Sequence, residues 1–360
     1  MKKNINVLMV GSDLSVKGGM TTVVENFLNN KFKKNINIIY IATHIEGKKA
    51  INKSIFFISA LFKIIYNLVF NNISIIHVHL SERGSFYRKY LVFIVGKIFN
   101  KKIIIHMHGA EFEEFYNKSC KIIRKNINLL LKNSDKVIVL GDKWNEFVIG
   151  INPNINSYIL RNSVKYSNER CIFDKININI LFLAVLIERK GIFDLVKAAK
   201  ILLENENLSK YNIKFLIAGS GLEERNVKKQ VKSLNIEKYF EFKGWVKLQE
   251  KEELLKKSQI FVLPSYNEGL PVAILEAMTY GLSIISTKVG SIEDAVKDNY
   301  NGFLINPGDV NQLSRSIEKL IIDSSLREEF SKNSKKVIND SYDELDYFSR
   351  VEKLYYGLVR

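Results

Sequence analysis

Glu268 and Glu276 bracket the apolar run Gly269-Leu270-Pro271-Val272-Ala273-Ile274-Leu275. The run reads as a helix. Pro271 sits where a first helical residue belongs, with φ preset and no N–H to lose, and Gly281 sits where the helix stops. Between them Ile274, Leu275, Ala277 and Met278 cover nearly every face, and a helix apolar all round is buried. Glu276 is then expected to lack a route to water, and an embedded carboxylate needs hydrogen-bond donors. Hydroxyls of a ligand can supply them; so can a buried lysine or arginine, and the pattern leaves both open. The backbone N–H groups of Gly269 and Leu270 fall at the helix start, where the dipole favours an anion. One short segment thus offers acceptors for hydroxyls and a cradle for phosphate.

Other residues carry weaker signals. Gly18-Gly19 follows a first apolar run and precedes a helix near Met20, so backbone can approach a ligand there. The spacing is not G-x-G-x-x-G, which argues against a nicotinamide or flavin. Lys190-Gly191 stands in the same relation to a later strand and helix, where a lysine can meet a diphosphate as a point charge. The histidines are His44, His77, His79, His106 and His108. His77 and His79 share one strand face, as do His106 and His108. No Asp or Glu accompanies them in a ligand pattern, so no metal is expected. His108 is the candidate for polar contact or catalysis, the rest for structural roles.

The elements that position these residues alternate. Ile- and Val-rich runs predict strands at Ile5–Gly11, 36–43, Ile73–Leu80, 102–109, 136–141 and 157–161. A second series follows at 178–186, 214–219, 240–246, 259–264, Ser283–Thr287 and 302–306. Helical patterns fill the gaps, among them 20–29, 193–204, 248–258 and Val310–Ile322. Such alternation means α/β architecture, with parallel sheets covered on both faces. Two series mean two doubly wound, Rossmann-like domains with ligands beyond the strand carboxyl ends. The boundary is expected in the polar stretch 165–177: domain 1–165, then domain 166–344, with a C-terminal helix near 345–360 that can pack back on the first.

The 360-residue chain suits two domains. Its net charge of +16 is uneven, for residues 1–165 hold 25 Lys and Arg against 10 Asp and Glu. That half can attract an anionic membrane surface; no nucleic-acid-binding signature accompanies the charge, and none is expected as a partner. Residues 55–70 and 85–99 are apolar with scattered bases, as interfacial helices are, and equally read as crossover helices on the first sheet. Cys120 and Cys171 fit neither a disulfide framework nor a metal site, so a reducing compartment is expected. The basic start Met1-Lys2-Lys3 leads into a short apolar run that reads as a strand, not a signal peptide.

Taken together these segments resemble family 4 of the retaining glycosyltransferases, which have the GT-B fold, with two domains facing a central cleft. The resemblance rests on Pro264-Ser265-Tyr266-Asn267-Glu268-Gly269-Leu270-Pro271 through Glu276-Ala277-Met278-Thr279-Tyr280-Gly281. It continues in Gly290, Asn301-Gly302-Phe303-Leu304 and Pro307-Gly308-Asp309. The first half adds His79-Leu80-Ser81-x-Arg83-Gly84-Ser85-Phe86-Tyr87-Arg88-Lys89 and His106-Met107-His108-Gly109-Ala110-Glu111-Phe112. The resemblance implies a metal-independent enzyme without cofactor. It would move a sugar from a nucleotide-diphosphate donor, UDP-sugar favoured, to a saccharide or lipid-linked acceptor in cell-surface polysaccharide assembly. It places Glu276 on the ribose, Glu268 on the donor sugar and the Gly269 and Leu270 N–H groups on phosphate or sugar. Lys190 would neutralise the diphosphate, Gly18 and Gly19 would line the donor site from the first domain, and His108 would sit beside the reacting carbon. A cytoplasmic protein, peripheral at the inner membrane face, is implied. One departure stands out: the arginine the family places before Lys-Gly is Val185 here. It keeps a non-catalytic partner as an alternative, beside an epimerase on the same fold.

Overall fold

The structure, a computed structural model, describes residues 4–32, 35–47 and 49–359. Met1–Lys3, which carry the basic start, and Arg360 lie outside the described residues. The chain divides into two compact units, residues 1–162 with 345–360, and residues 163–344.

The first unit holds strands β1 (Ile5–Gly11), β2 (Ile36–Ala42), β3 (Ile73–Leu80), β4 (Lys102–Met107), β5 (Lys136–Val139) and β6 (Ser157–Ile159). They form one parallel sheet in the order β2-β1-β3-β4-β5-β6. The second unit holds β7 (Asn177–Leu183), β8 (Asn212–Ala218), β9 (Phe240–Gly244), β10 (Ile260–Leu263), β11 (Ser283–Thr287) and β12 (Gly302–Ile305), in the parallel order β12-β11-β10-β7-β8-β9. Every strand expected from the apolar runs is present. β7 ends sooner than its run because the chain turns at Val185, whose carbonyl accepts from Ile187 N at 3.0 Å. β9 ends at Gly244, where φ is +65°. Asparagine replaces glycine at several helix ends: Asn72, Asn100 and Asn235 each take positive φ one residue past a helix cap.

Strand order reverses direction between β1 and β3 in the first sheet and between β7 and β10 in the second. At such a point successive connections leave toward opposite faces, and the loops after the two strands open a crevice at their carboxyl ends. In the first unit these are the loops after Gly11 and Leu80; in the second, the loops after Leu183 and Leu263.

Helix Ala50–Phe70 packs a narrow stripe of Ala60, Ile64 and Leu68 on the first sheet. It is long and apolar enough to cross a membrane by length and composition. Its outer face leaves Ile51, Ile55, Ile58, Phe62, Tyr66 and Phe70 exposed.

Helix Glu344–Val359 closes the other side of the first unit. Its Phe348 meets Phe27 edge-on with centroids 5.3 Å apart, and Tyr355 Oη lies 2.6 Å from His77 Nδ1. His77, His79 and His106 are fully buried around Phe27. Burial holds His77 neutral, with its pKa pushed down to about 3, and pushes His79 and His106 well below the ordinary value of 6.5. Unfolded histidines take up protons below pH 6.5 whereas these do not, so stability is whole above that pH and falls as pH drops toward 3. With His108 included, four such groups predict a loss of up to about 5 kcal/mol between pH 7.5 and 5.5. Denaturant unfolding of the first unit at the two pH values measures it; equal midpoints would show the imidazoles to be protonated in the native state.

Candidate functional site

In the second unit the crevice between β7 and β10 gathers the predicted residues. The chain leaving β7 forms a 3-10 turn, Glu188–Lys190, closed by Gly191 at φ +72°. Gly191 is required on two counts: its φ is left-handed, and a Cβ there would stand 2.0 Å from Pro264 O. The two loops therefore touch backbone to backbone. Tyr266 N donates to Arg189 O at 2.8 Å, and Arg189 Nη1 donates to Asn267 O at 2.5 Å. Tyr266 Oη donates to Asp194 Oδ2 at 2.8 Å, which with burial pushes the phenol up to about 12.

This clamp sets Lys190 Nζ 2.5 Å from Glu268 Oε1, and Ser265 Oγ donates to the same oxygen at 2.7 Å. The Glu268 side chain is 6% exposed and that of Lys190 16%. The structure thus reverses the expected burial of the two glutamates. Glu268 is enclosed, whereas Glu276 is 19% exposed and pairs with Lys251 Nζ at 2.5 Å. Helix Val272–Thr279 is not apolar all round, since Ala273 and Glu276 form an open stripe at i and i+3 spacing. Lys251, on helix Leu248–Lys257, reaches that stripe. Pro271 is the cap rather than the first helical residue, with ψ 120°. Gly269 and Leu270 accordingly lie in the loop ahead of the helix. Gly290 backs that loop: at φ +55°, a Cβ on it would lie 2.0 Å from Glu268 O, and Ser291 N donates to Gly269 O at 2.8 Å. Gly281 stops the helix at φ +76°, as expected.

Val185 lies where the chain bends out of β7, between carbonyl contacts with the loop after β8. A Cβ on Gly219 would meet Ala184 O at 1.8 Å, and one on Gly221 would meet Leu186 O at 2.2 Å. The sequence pattern singled out none of Gly219, Gly221 and Lys251, and quoted Ser265 in its motif without giving it a role. The glycines had a signal, a Gly-Ser-Gly directly after a strand; Lys251 had none beyond its helix.

The first unit carries Gly18, Gly19 and His108. Gly18, at φ 151°, caps helix Gly19–Asn29, which has no acid in its first turn. A Cβ on either glycine would meet nothing within 4 Å, so neither is required by packing. His108 follows β4, with its N–H donated to Leu80 O at 2.8 Å. Its Nε2 is 2.8 Å from His79 Nδ1, and burial pushes its pKa down to about 3, so it is neutral at physiological pH. His77, His79 and His106 bring ring nitrogens within 4.8 Å of one another. Imidazole nitrogens so spaced can hold a divalent ion. Among the described residues no carboxylate joins them to offset a dication, and Lys89 bears on His79.

Residues 169–337, nearly all of the second unit, match the family model described as glycosyl transferases group 1. The second unit belongs to that family. The chain is similar to the Escherichia coli UDP-Gal:α-D-GlcNAc-diphosphoundecaprenol α-1,3-galactosyltransferase, 30% identical over 45% of this chain and 41% of the relative. It is also similar to a Campylobacter jejuni α-1,4-N-acetyl-D-galactosaminyltransferase named for a PP-undecaprenol-linked saccharide, 28% identical over 59% of this chain and 55% of the relative. The matched region spans about half the length of these curated relatives. The solved structure of sucrose-phosphate synthase from Thermosynechococcus elongatus superposes with a TM-score of 0.81 over 99% of both chains, at 16% identity. The likeness is one of fold, the GT-B architecture of two units each built on a parallel sheet.

The desolvated pair sets an asymmetric expectation. Lys190→Ala leaves the enclosed Glu268 carboxylate with a hydrogen bond from Ser265 Oγ but no cation on that oxygen, and should cost about 3 kcal/mol. Glu268→Gln keeps a hydrogen-bonding group and leaves a lysine able to reach water, so it should cost about 1 kcal/mol. Chemical denaturation of both variants checks the order.

Proposed function

We propose that this chain is a retaining glycosyltransferase that moves a sugar from a nucleoside-diphosphate donor, UDP-sugar favoured, to a hydroxyl of a lipid-linked saccharide. The observation that carries this reading is the Lys190–Glu268 pair at the strand-order reversal, with Glu276 on the open stripe of the adjacent helix. The anomeric carbon–oxygen bond to the diphosphate breaks and a bond to the acceptor oxygen forms. Negative charge grows on the departing diphosphate. Lys190, released from Glu268 as the donor enters, meets that charge, and Glu268 turns to the hydroxyls of the transferred sugar. Glu276 is assigned to the ribose, the Gly269 and Leu270 N–H groups to phosphate or sugar, and Gly18 and Gly19 to the donor from the first unit. His108, neutral and held by His79, is assigned to the sugar near the reacting carbon. Metal independence is part of the proposal, since fixed cations supply the charge. The similar Escherichia coli and Campylobacter jejuni enzymes, named for UDP-Gal and for undecaprenol-linked acceptors, favour this donor and acceptor class. The exposed apolar face of helix Ala50–Phe70, on the basic first unit, fits peripheral residence at the cytoplasmic membrane surface.

Val185 favours one second reading, a binding partner without turnover. Arg189, near the absent arginine in sequence, donates through Nη1 to Asn267 O.

A thermal-shift screen of nucleotide sugars should give a stabilising UDP-sugar. Glu276→Ala should weaken nucleotide binding at least tenfold by calorimetry; unchanged affinity would remove the ribose assignment. His108→Ala should lower transfer at least 100-fold with nucleotide affinity kept, and equal loss of both would undo its role. Should the wild type bind donor without transferring, and Val185→Arg create transfer, the non-catalytic reading would hold instead.

A further inference from the structure

An imidazole beside a sugar can give a hydrogen bond or take one, and which it does depends on where its single proton sits. For His108 that choice is made by His79. His79 is the last but one residue of β3 and fully buried. Burial first, then the neighbouring imidazoles and Lys89, hold its ring neutral. A neutral imidazole carries one N–H and one bare nitrogen. Nε2 of His79 is enclosed with no hydrogen-bond partner among the described residues, while its Nδ1 lies 2.8 Å from His108 Nε2. The two ring planes differ by 21° and the centroids are 5.0 Å apart. That separation exceeds the nitrogen–nitrogen distance by about one ring width, so the rings meet edge to edge, in line for an N–H···N bond. His77 and His106 do not compete for this contact. They face each other at 3.2 Å, and His77 Nδ1 is taken by Tyr355 Oη.

Two placements of the His79 proton are open. On Nε2 it would be walled in with nothing to accept it; on Nδ1 it leaves only a bare lone pair at Nε2. Folded proteins leave a buried N–H unpaired more rarely than an acceptor. The proton of His79 therefore sits on Nδ1 and is given to His108 Nε2. That nitrogen is then an acceptor, and neutral His108 carries its own proton on Nδ1. The main chain holds the same pose, since His108 N donates to Leu80 O at 2.8 Å. We infer that His79 is a positioning residue: by donating through Nδ1 it sets half-buried His108 as an Nδ1–H donor to a ligand oxygen beyond the carboxyl end of β4. That this oxygen belongs to the transferred sugar rests on the transferase reading; the placement of the protons does not. His108 then gives a hydrogen bond to the sugar and orients it, and takes no proton from the acceptor hydroxyl. His79 touches no substrate and acts through His108 alone, as a buried group that fixes a tautomer does.

The chain has five histidines, so a long-range proton–nitrogen NMR spectrum of the full chain, labelled with nitrogen-15 at histidine, can resolve each ring. The signals lost in His79→Asn and His108→Ala assign the pair. In the wild type at neutral pH both rings should show the Nδ1–H pattern. His79→Phe keeps a ring but has no donor. It should release His108 from that pattern and lower kcat at least tenfold, with the UDP-sugar that the thermal-shift screen selects as donor. Its calorimetric UDP affinity should stay within twofold of wild type. His79→Asn sets an amide N–H near the place of Nδ1, and should restore both the His108 Nδ1–H pattern and most of kcat. An Nε2–H pattern at either wild-type ring would overturn the inference, and this measurement stands even should His79→Phe fail to fold. Wild-type kcat in His79→Phe, or His79→Asn as impaired as His79→Phe, would overturn it as well. The Nδ1–H pattern at both rings in a protein that transfers no sugar would refute the transferase reading and leave the proton placement standing.

Discussion

Lys190 and Glu268 face each other across the reversal of strand order in the second sheet, at 2.5 Å and largely out of water. Much of the second unit is arranged so that this contact exists. β7 and β10 must be neighbours, with Ile260 opposite Ile180 and Phe261 opposite Leu181, for their loops to meet. Gly191 must lack a side chain for one loop to lie on Pro264, and Gly290 must lack one for a third segment to support Glu268 from behind. A desolvated ion pair adds little net stability against an apolar substitute. Its value lies in being an exchangeable contact, because each partner has a place to go when charge and hydroxyls of a ligand arrive.

The first unit follows a different rule. Its interior carries a column of imidazoles kept neutral by burial, joined to one another and to Tyr355. His77 and His79 stack with centroids 4.8 Å apart, and His106 and His108 lie 4.1 Å apart. Neutral rings pack like aromatic side chains while keeping hydrogen bonds. Lys89, tied to Gly11 O and Thr43 Oγ1 at the strand ends, bears on the column at His79.

Much of this architecture could be read from the residues. The strands were legible because their Ile and Val runs are short, nearly uninterrupted and bounded by Gly, Asn or Pro, the mark of strands buried on both faces. The helix after Pro271 was legible from its proline and from Gly281, but its one open stripe was not. Whether Glu276 meets water depends on what packs beside it, and that neighbour, helix Leu248–Lys257, is fixed by tertiary structure. Lys190 and Glu268 were each recognisable as candidates; their mutual contact was not, since pairing across a sheet is decided by strand order. The same holds for His77, whose partner Tyr355 lies near the far end of the chain.

That last contact has a consequence for the order of assembly. The second unit is one uninterrupted stretch of chain, while the first is finished only by the segment that follows it. As the polypeptide emerges from the ribosome, the first sheet appears early but waits, with Phe27 and His77 uncovered, until Phe348 and Tyr355 arrive to cover them. The later unit can be complete before the earlier one, and an incomplete chain exposes an unsealed sheet that a chaperone or protease can recognise.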